Sequence, residues 1–264
     1  VNLIDTAASY SGSEQMIGKT IGHRREDYIL VSKCGREMDG IEGAAWSEAN
    51  VLNTLDQALA RLQTDYLDVM LLHSCDLETL KGGEAVGALV KARDAGKIRF
   101  LGYAGDNEAA AYAAGLDDVA VIETSISICD QANIEGVLAP CQQNNVGVLS
   151  KRSIANAAWK GAENQQGMYV NYAENYAQRL AAMGVMPQDL EISSADDWPE
   201  IALRFTLFQT GLSCAIVGTT KAGNVAANLA AAAKGPLPDD AVATLRSAFL
   251  RAEKASGEQW LGLQ

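Results

Sequence analysis

Short apolar runs rich in β-branched and aromatic residues recur along the chain, each followed by a stretch whose apolar positions return at helical spacing. Seven of these runs read as strands: Val1 to Thr6, Tyr28 to Lys33, Tyr66 to His73, Ile98 to Ala104, Val119 to Thr124, Val146 to Lys151 and Ser213 to Gly218. Their apolar character is nearly continuous, which predicts strands covered on both faces, and strand followed by helix marks repeated βα units around a parallel sheet. Ser47 to Thr64 predicts an amphipathic helix with Leu52, Leu55, Leu59 and Leu62 on one face and Ser47 as its cap. Val86 to Ala95 predicts a second helix, stopped by Gly96 at the left-handed position that commonly follows a helix end.

Two α/β architectures use such units. An open doubly wound sheet would want a GxGxxG turn after an early strand, and the chain has none. The expectation is therefore a (β/α)8 barrel, a single domain over residues 1–264. A closed barrel needs eight strands, and Val1 opens directly into an apolar run, so the first βα unit is expected to be missing from these residues. One connection is unusually long: Arg152 to Asp196 carries Trp159, Tyr169, Tyr172 and Tyr176. It reads either as a mobile cover over a ligand or as peripheral helix, with Asn171 to Met183 as the helical candidate.

Composition narrows the partners. A net charge of -12 repels nucleic acid and anionic membrane surfaces, so an anionic ligand would need a local basic pocket. The 5 cysteines are odd in number, widely spaced and without a CxxC pair, which reads as reduced thiols in a cytoplasmic protein. With only 2 histidines, His23 and His73, a zinc site has little material, and no metal is expected. Neither a membrane-spanning run nor a signal peptide is visible.

Candidate chemistry collects at strand ends. Asp5, Tyr10, Lys33 and His73 fall at or just beyond the C-terminal ends of the first three strands, and in a barrel those ends converge on one mouth. Any one of them alone has an ordinary explanation, such as a helix cap for Asp5 or a hydrogen-bonded core residue for His73. Asp, Lys and His in succession at three neighbouring strand ends favour an active site. Cys34 and Cys75 flank two of these residues, but neither has a base and an orienting carboxylate in view, so a thiol mechanism is not expected.

Several stretches carry a resemblance to a known family: NLIDTAASY with SGSEQMIG behind it, ILVSKCG, LDQALARLQTDYLDVMLLHS, GKIRFLGYAG, and late in the chain IVGTTKAGNVAANLAAA. From Val1 to about Asn228 the sequence resembles the aldo-keto reductases. The resemblance implies a catalytic tetrad of Asp5, Tyr10, Lys33 and His73, with Tyr10 as general acid, Lys33 as its tuning charge, Asp5 holding Lys33, and His73 positioning the carbonyl oxygen. It also implies a nicotinamide dinucleotide, NADP with NAD as the alternative, and a small-molecule carbonyl or alcohol substrate. Gly218, Thr219, Thr220 and Lys221 would take its phosphates at a helix N-terminus, with Asn228 on the adenine. Lys151, Arg152 and Lys221 would give this acidic chain a basic patch.

The sequence departs from the family's pattern at a few positions. Asn224 stands where an Arg for the 2'-phosphate is frequent, Ala104 and Gly105 where Ser-Asn holds the carboxamide, Glu123 where Gln is usual, and Lys151 where a ring-stacking Tyr is often found. The leading expectation is an NAD(P)-linked oxidoreductase interconverting aldehydes or ketones and alcohols. The alternative is a cofactor-binding regulatory or redox-sensing subunit with little turnover.

Overall fold

In a computed structural model the protein is described over residues 1–161, 163, 169–190, 192 and 197–263. Its packing falls into two compact units, Val1–Glu123 with Pro140–Gly147, and Thr124–Ala139 with Val148–Gln264. In chain order the elements are β1 (Leu3–Asp5), α1 (Ser13–Ile21), β2 (Ile29–Cys34), α2 (Glu48–Leu62), β3 (Leu67–His73), α3 (Leu77–Gly82), α4 (Glu84–Asp94), β4 (Ile98–Ala104), α5 (Asn107–Ala113) and β5 (Val119–Ser125). These are followed by α6 (Ala139–Gln143), β6 (Gly147–Lys151), α7 (Tyr169–Met183), α8 (Trp198–Leu207), β7 (Cys214–Ala215), α9 (Ala222–Ala233) and α10 (Asp239–Ser256). All seven expected strands form, and every helix lies between strands or after the last.

In the first unit β1 to β5 pair in parallel, each with its neighbour in sequence: Asp5 opposite Val31, Lys33 opposite Leu71, His73 opposite Ala104, and Ala104 opposite Glu123. Leu67 to Leu72 are buried without a break, as expected of a strand covered on both faces. Gly102 is required here, since a Cβ on it would lie 2.0 Å from the Val121 carbonyl oxygen at the point where the register shifts between β4 and β5. Gly18 plays the same part between helices, because a Cβ would come within 2.4 Å of the Arg61 carbonyl oxygen where α1 packs on α2.

Helix α2 begins where expected, with the Ser47 hydroxyl accepting from the Asn50 amide at 3.2 Å. Its buried stripe is Val51, Leu55, Ala58 and Leu62, while Leu52 and Leu59 are half-buried. The core thus lies slightly to one side of the face read from leucine spacing. Helix α4 ends into Gly96, whose φ of 76° is the left-handed conformation anticipated for it.

In the second unit β6 and β7 pair in parallel, Leu149 opposite Cys214. β7 is much shorter than the expected Ser213 to Gly218, although the Ile216 amide still reaches the Ser150 carbonyl at 2.9 Å. The core of this unit includes Ile128, Tyr176, Ile201, Phe205, Leu245, Phe249 and Trp260. Among its described residues the long connection contributes α7 and the short 3-10 turns Ala155–Lys160 and Pro187–Leu190. Tyr176, Leu180 and Met183 are built into the core, and the Trp159 ring stacks on Trp198 at 6.4 Å. That favours packed helix for residues 173–190. Residues 162, 164–168, 191 and 193–196 of this connection lie outside the described residues, as do the Tyr169 and Tyr172 side chains.

Candidate active site

Parallel register carries Asp5, Lys33 and Glu123 to the C-terminal ends of β1, β2 and β5 in the first unit. Lys33 is the centre of the group. Its ammonium donates to Asp5 Oδ1 at 2.6 Å, Asp5 Oδ2 at 2.7 Å and the Thr6 carbonyl at 3.1 Å, and Glu123 Oε2 lies 3.1 Å away. The side-chain exposures are 1% for Lys33, 8% for Asp5 and 4% for Glu123. An ammonium so deep survives as a charge only beside carboxylates. Burial lowers its proton affinity, but Glu123 and then Asp5 outweigh that, and Lys33 ends above the ordinary lysine range.

The segment from Thr6 to Ser13 presents Tyr10. The Tyr10 amide reaches the Ala7 carbonyl at 3.0 Å, the Ser13 amide reaches the Tyr10 carbonyl at 3.0 Å, and the Thr6 and Ser13 hydroxyls meet at 2.8 Å. Just beyond, Glu14 anchors α1 from a buried position, accepting from Ser32 at 2.6 Å and Arg61 at 2.7 Å. The Tyr10 ring lies 5.5 Å from Lys33 Nζ and meets the His73 ring edge-on, with centroids 6.0 Å apart. Tyr10 as a residue remains 43% exposed, with the buried ammonium on one side of its ring. His73, half-buried at the end of β3, has Nδ1 3.4 Å from the Ser9 hydroxyl and its carbonyl held by Arg36 Nε at 3.0 Å.

The four residues expected to act together are therefore brought together. Glu123, which stands where the family usually has Gln, faces Lys33. Ser9, Arg36 and Glu14 had no signal of their own in the sequence. Cys34 and Cys75 are buried, and burial pushes both thiols up, Cys75 to about 12, so neither is a ready thiolate.

The second unit holds the other expected residues. Gly218, Thr219 and Thr220 follow β7, and Lys221 precedes the first turn of α9, all exposed. The Thr219 hydroxyl accepts from the Lys221 amide at 3.1 Å and from Asn224 Nδ2 at 2.9 Å, which fixes the turn into the helix. The amides of Ala222 and Gly223 have no intrahelical acceptor at that position. With the ammonium of Lys221 they form a donor set suited to a phosphate, so the residues present fit a dinucleotide. Asn228 is half-buried a turn further on, and Lys151 is half-buried at the end of β6. Arg152 departs from expectation: its φ of 58° turns the chain, and its guanidinium donates to the Leu263 carbonyl and to Ser125 Oγ.

Comparison with known proteins draws these observations together. The model of the Aldo/keto reductase family matches residues 1–249. The chain belongs to this family. Among curated relatives, L-galactose dehydrogenase of Arabidopsis thaliana is 27% identical over 243 residues, 88% of this chain and 73% of that protein. The oxidoreductase YqkF of Bacillus subtilis is 26% identical over 262 residues, 94% and 83%. The holo form of the aldo-keto reductase AKR11C1 from Bacillus halodurans superposes with a TM-score of 0.76 at 24% identity, covering 94% of this chain and 82% of that one. The fold is thus α/β of the (β/α)8 barrel class, with seven parallel strands among the described residues, and the family is one of oxidoreductases.

Proposed function

We propose that this aldo/keto reductase is an NAD(P)-dependent enzyme interconverting aldehydes or ketones and the corresponding alcohols, with Tyr10 as general acid and base. The observation that carries the reading is the exposed Tyr10 ring set between the Lys33 ammonium and His73. A bound nicotinamide dinucleotide would supply the hydride; Gly218, Thr219, Thr220, Lys221, Asn224 and Asn228 would hold it, with Lys151 at the end of β6, the strand paired with β7.

Reduction of a carbonyl leaves charge on its oxygen, which needs a proton donor and a fixed positive environment. A phenol keeps its proton at neutral pH, and an ammonium beside it eases the proton's release. Lys33 is placed for that part, Asp5 and Glu123 keep it charged and immobile, and His73 orients the substrate oxygen towards the Tyr10 hydroxyl. In the reverse direction the tyrosinate accepts the alcohol proton. Arg152 is engaged by the Leu263 carbonyl, so preference for NADP over NAD rests on Lys221 in this reading. The odd number and wide spacing of the five cysteines suit a reducing compartment, and the cytoplasm is the proposed location.

The test is turnover: NADPH oxidation on addition of a panel of aldehydes, ketones and sugars. Substrate-dependent oxidation is expected. NADPH binding with no turnover on any member of the panel would refute the enzymatic reading.

A further inference from the structure

Lys33 has one carboxylate more than it needs. Asp5 alone holds its ammonium with both oxygens, yet Glu123 stands against the same nitrogen, and all three side chains are at least nine-tenths buried. With both carboxylates ionised the pocket would hold a net negative charge out of water, which is costly. Asp5 Oδ1 at 2.6 Å and Glu123 Oε2 at 3.1 Å stand against the same nitrogen, which sets the two carboxyl groups side by side. Two like charges so placed, out of water and with one ammonium between them, disfavour ionisation of both, and a proton kept on the pair removes the excess charge. We propose that Glu123 is a positioning residue of the reaction: with Asp5 it forms a carboxyl–carboxylate pair sharing one proton beside Lys33, and loss of that proton makes Tyr10 harder to ionise. The second half of the proposal rests on Tyr10 as the acid.

The titratable groups acting on the pair come from several elements. They are Asp5 at the end of β1, Tyr10 in the loop behind it, Lys33 on β2 and Glu123 on β5. On β3, His73 stands against the Tyr10 ring, and on β4 the Tyr103 hydroxyl is tied to the Cys75 carbonyl at 2.7 Å. While the proton is held, one ammonium and one carboxylate cancel. Once it leaves, the cluster carries a net negative charge beside the Tyr10 ring and disfavours the tyrosinate. Burial, and after it the charge of Glu123, push Asp5 up to about 8 against the pull of Lys33, so this change falls where the alcohol-oxidising direction gains its base.

Two measurements test the inference. In the intact protein with ¹³C-labelled aspartate and glutamate carboxyls, NMR titration is expected to show one carboxyl losing its proton near pH 8. In Glu123→Gln that late titration should vanish. No carboxyl titrating above about pH 6 in the wild type would overturn the shared proton. That readout needs neither turnover nor a variant, so it is independent of whether Tyr10 is the acid. In the pH profile of alcohol oxidation, Glu123→Gln should move the alkaline rise to lower pH by on the order of one unit. A merely structural role would lower the rate without moving the limb, and an unmoved limb would overturn the coupling to Tyr10.

Discussion

Replacing Lys33 by Met keeps the length and apolar stem of the side chain and removes only the charged head. The structure sets the consequence. The ammonium donates to both oxygens of Asp5 and to the Thr6 carbonyl, and Glu123 lies at 3.1 Å, so its loss leaves two buried carboxyl groups without a cation. Breaking a buried ion pair from one side costs about 3–5 kcal/mol. The cost should depend on pH in a definite direction. Asp5 is raised to about 8 in the folded protein from 3.8, so its stabilising contribution is complete below 3.8 and is lost as pH rises through 8. Without the pull of Lys33 the folded protein should hold more protons at this cluster than the wild type does, so the deficit should grow with rising pH by up to about 1.4 kcal/mol per pH unit for each extra proton held. Urea denaturation followed by far-ultraviolet circular dichroism at a series of pH values measures this. A deficit under about 1 kcal/mol at pH 7 that stays flat from pH 5 to 8 would refute the idea that Lys33 neutralises the pair.

Alkylation with iodoacetamide at pH 8 should modify Cys214 first, because Cys34, Cys75, Cys129 and Cys141 are buried and burial pushes their thiols up; peptide mass spectrometry reads the order, and early modification of Cys34 or Cys75 would contradict it. kcat/KM should be higher with NADPH than with NADH, and Lys221→Ala should narrow the ratio; equal values for the two cofactors in the wild type would mean that Lys221 does not meet a 2'-phosphate.

Strand positions were legible because a parallel strand buried on both faces must be written in continuous apolar residues, as Leu67 to Leu72 are. Strand ends then located Asp5, Lys33 and His73 without knowledge of any contact. β7 was overestimated, since the apolar text of Ala215 to Val217 continues past the point where ladder pairing stops. What stayed hidden depends on partners distant in sequence. Glu123 sits at the end of β5, so the same strand-end rule applied to it, but only the register chain from β1 to β5 brings it to Lys33. Arg152 read as part of a basic patch from its charge and position. Its contact with Leu263 spans 111 residues and depends on a left-handed backbone that no local pattern announces. The helix stripe of α2 was read in part: Leu55 and Leu62 are buried as leucine spacing suggested, but Val51 and Ala58 sit deeper than Leu52 and Leu59.

The central claim is that the Tyr10 hydroxyl is the proton donor, and Tyr10→Phe tests it most directly. The substitution keeps the ring, its contact with His73 and its place above Lys33, so circular dichroism and NADPH affinity should be unchanged. kcat for reduction of an aldehyde that the wild type turns over should fall by about 100- to 10,000-fold, the usual contribution of general acid catalysis. A Tyr10→Phe enzyme that folds, binds NADPH and retains near-wild-type kcat would contradict the account.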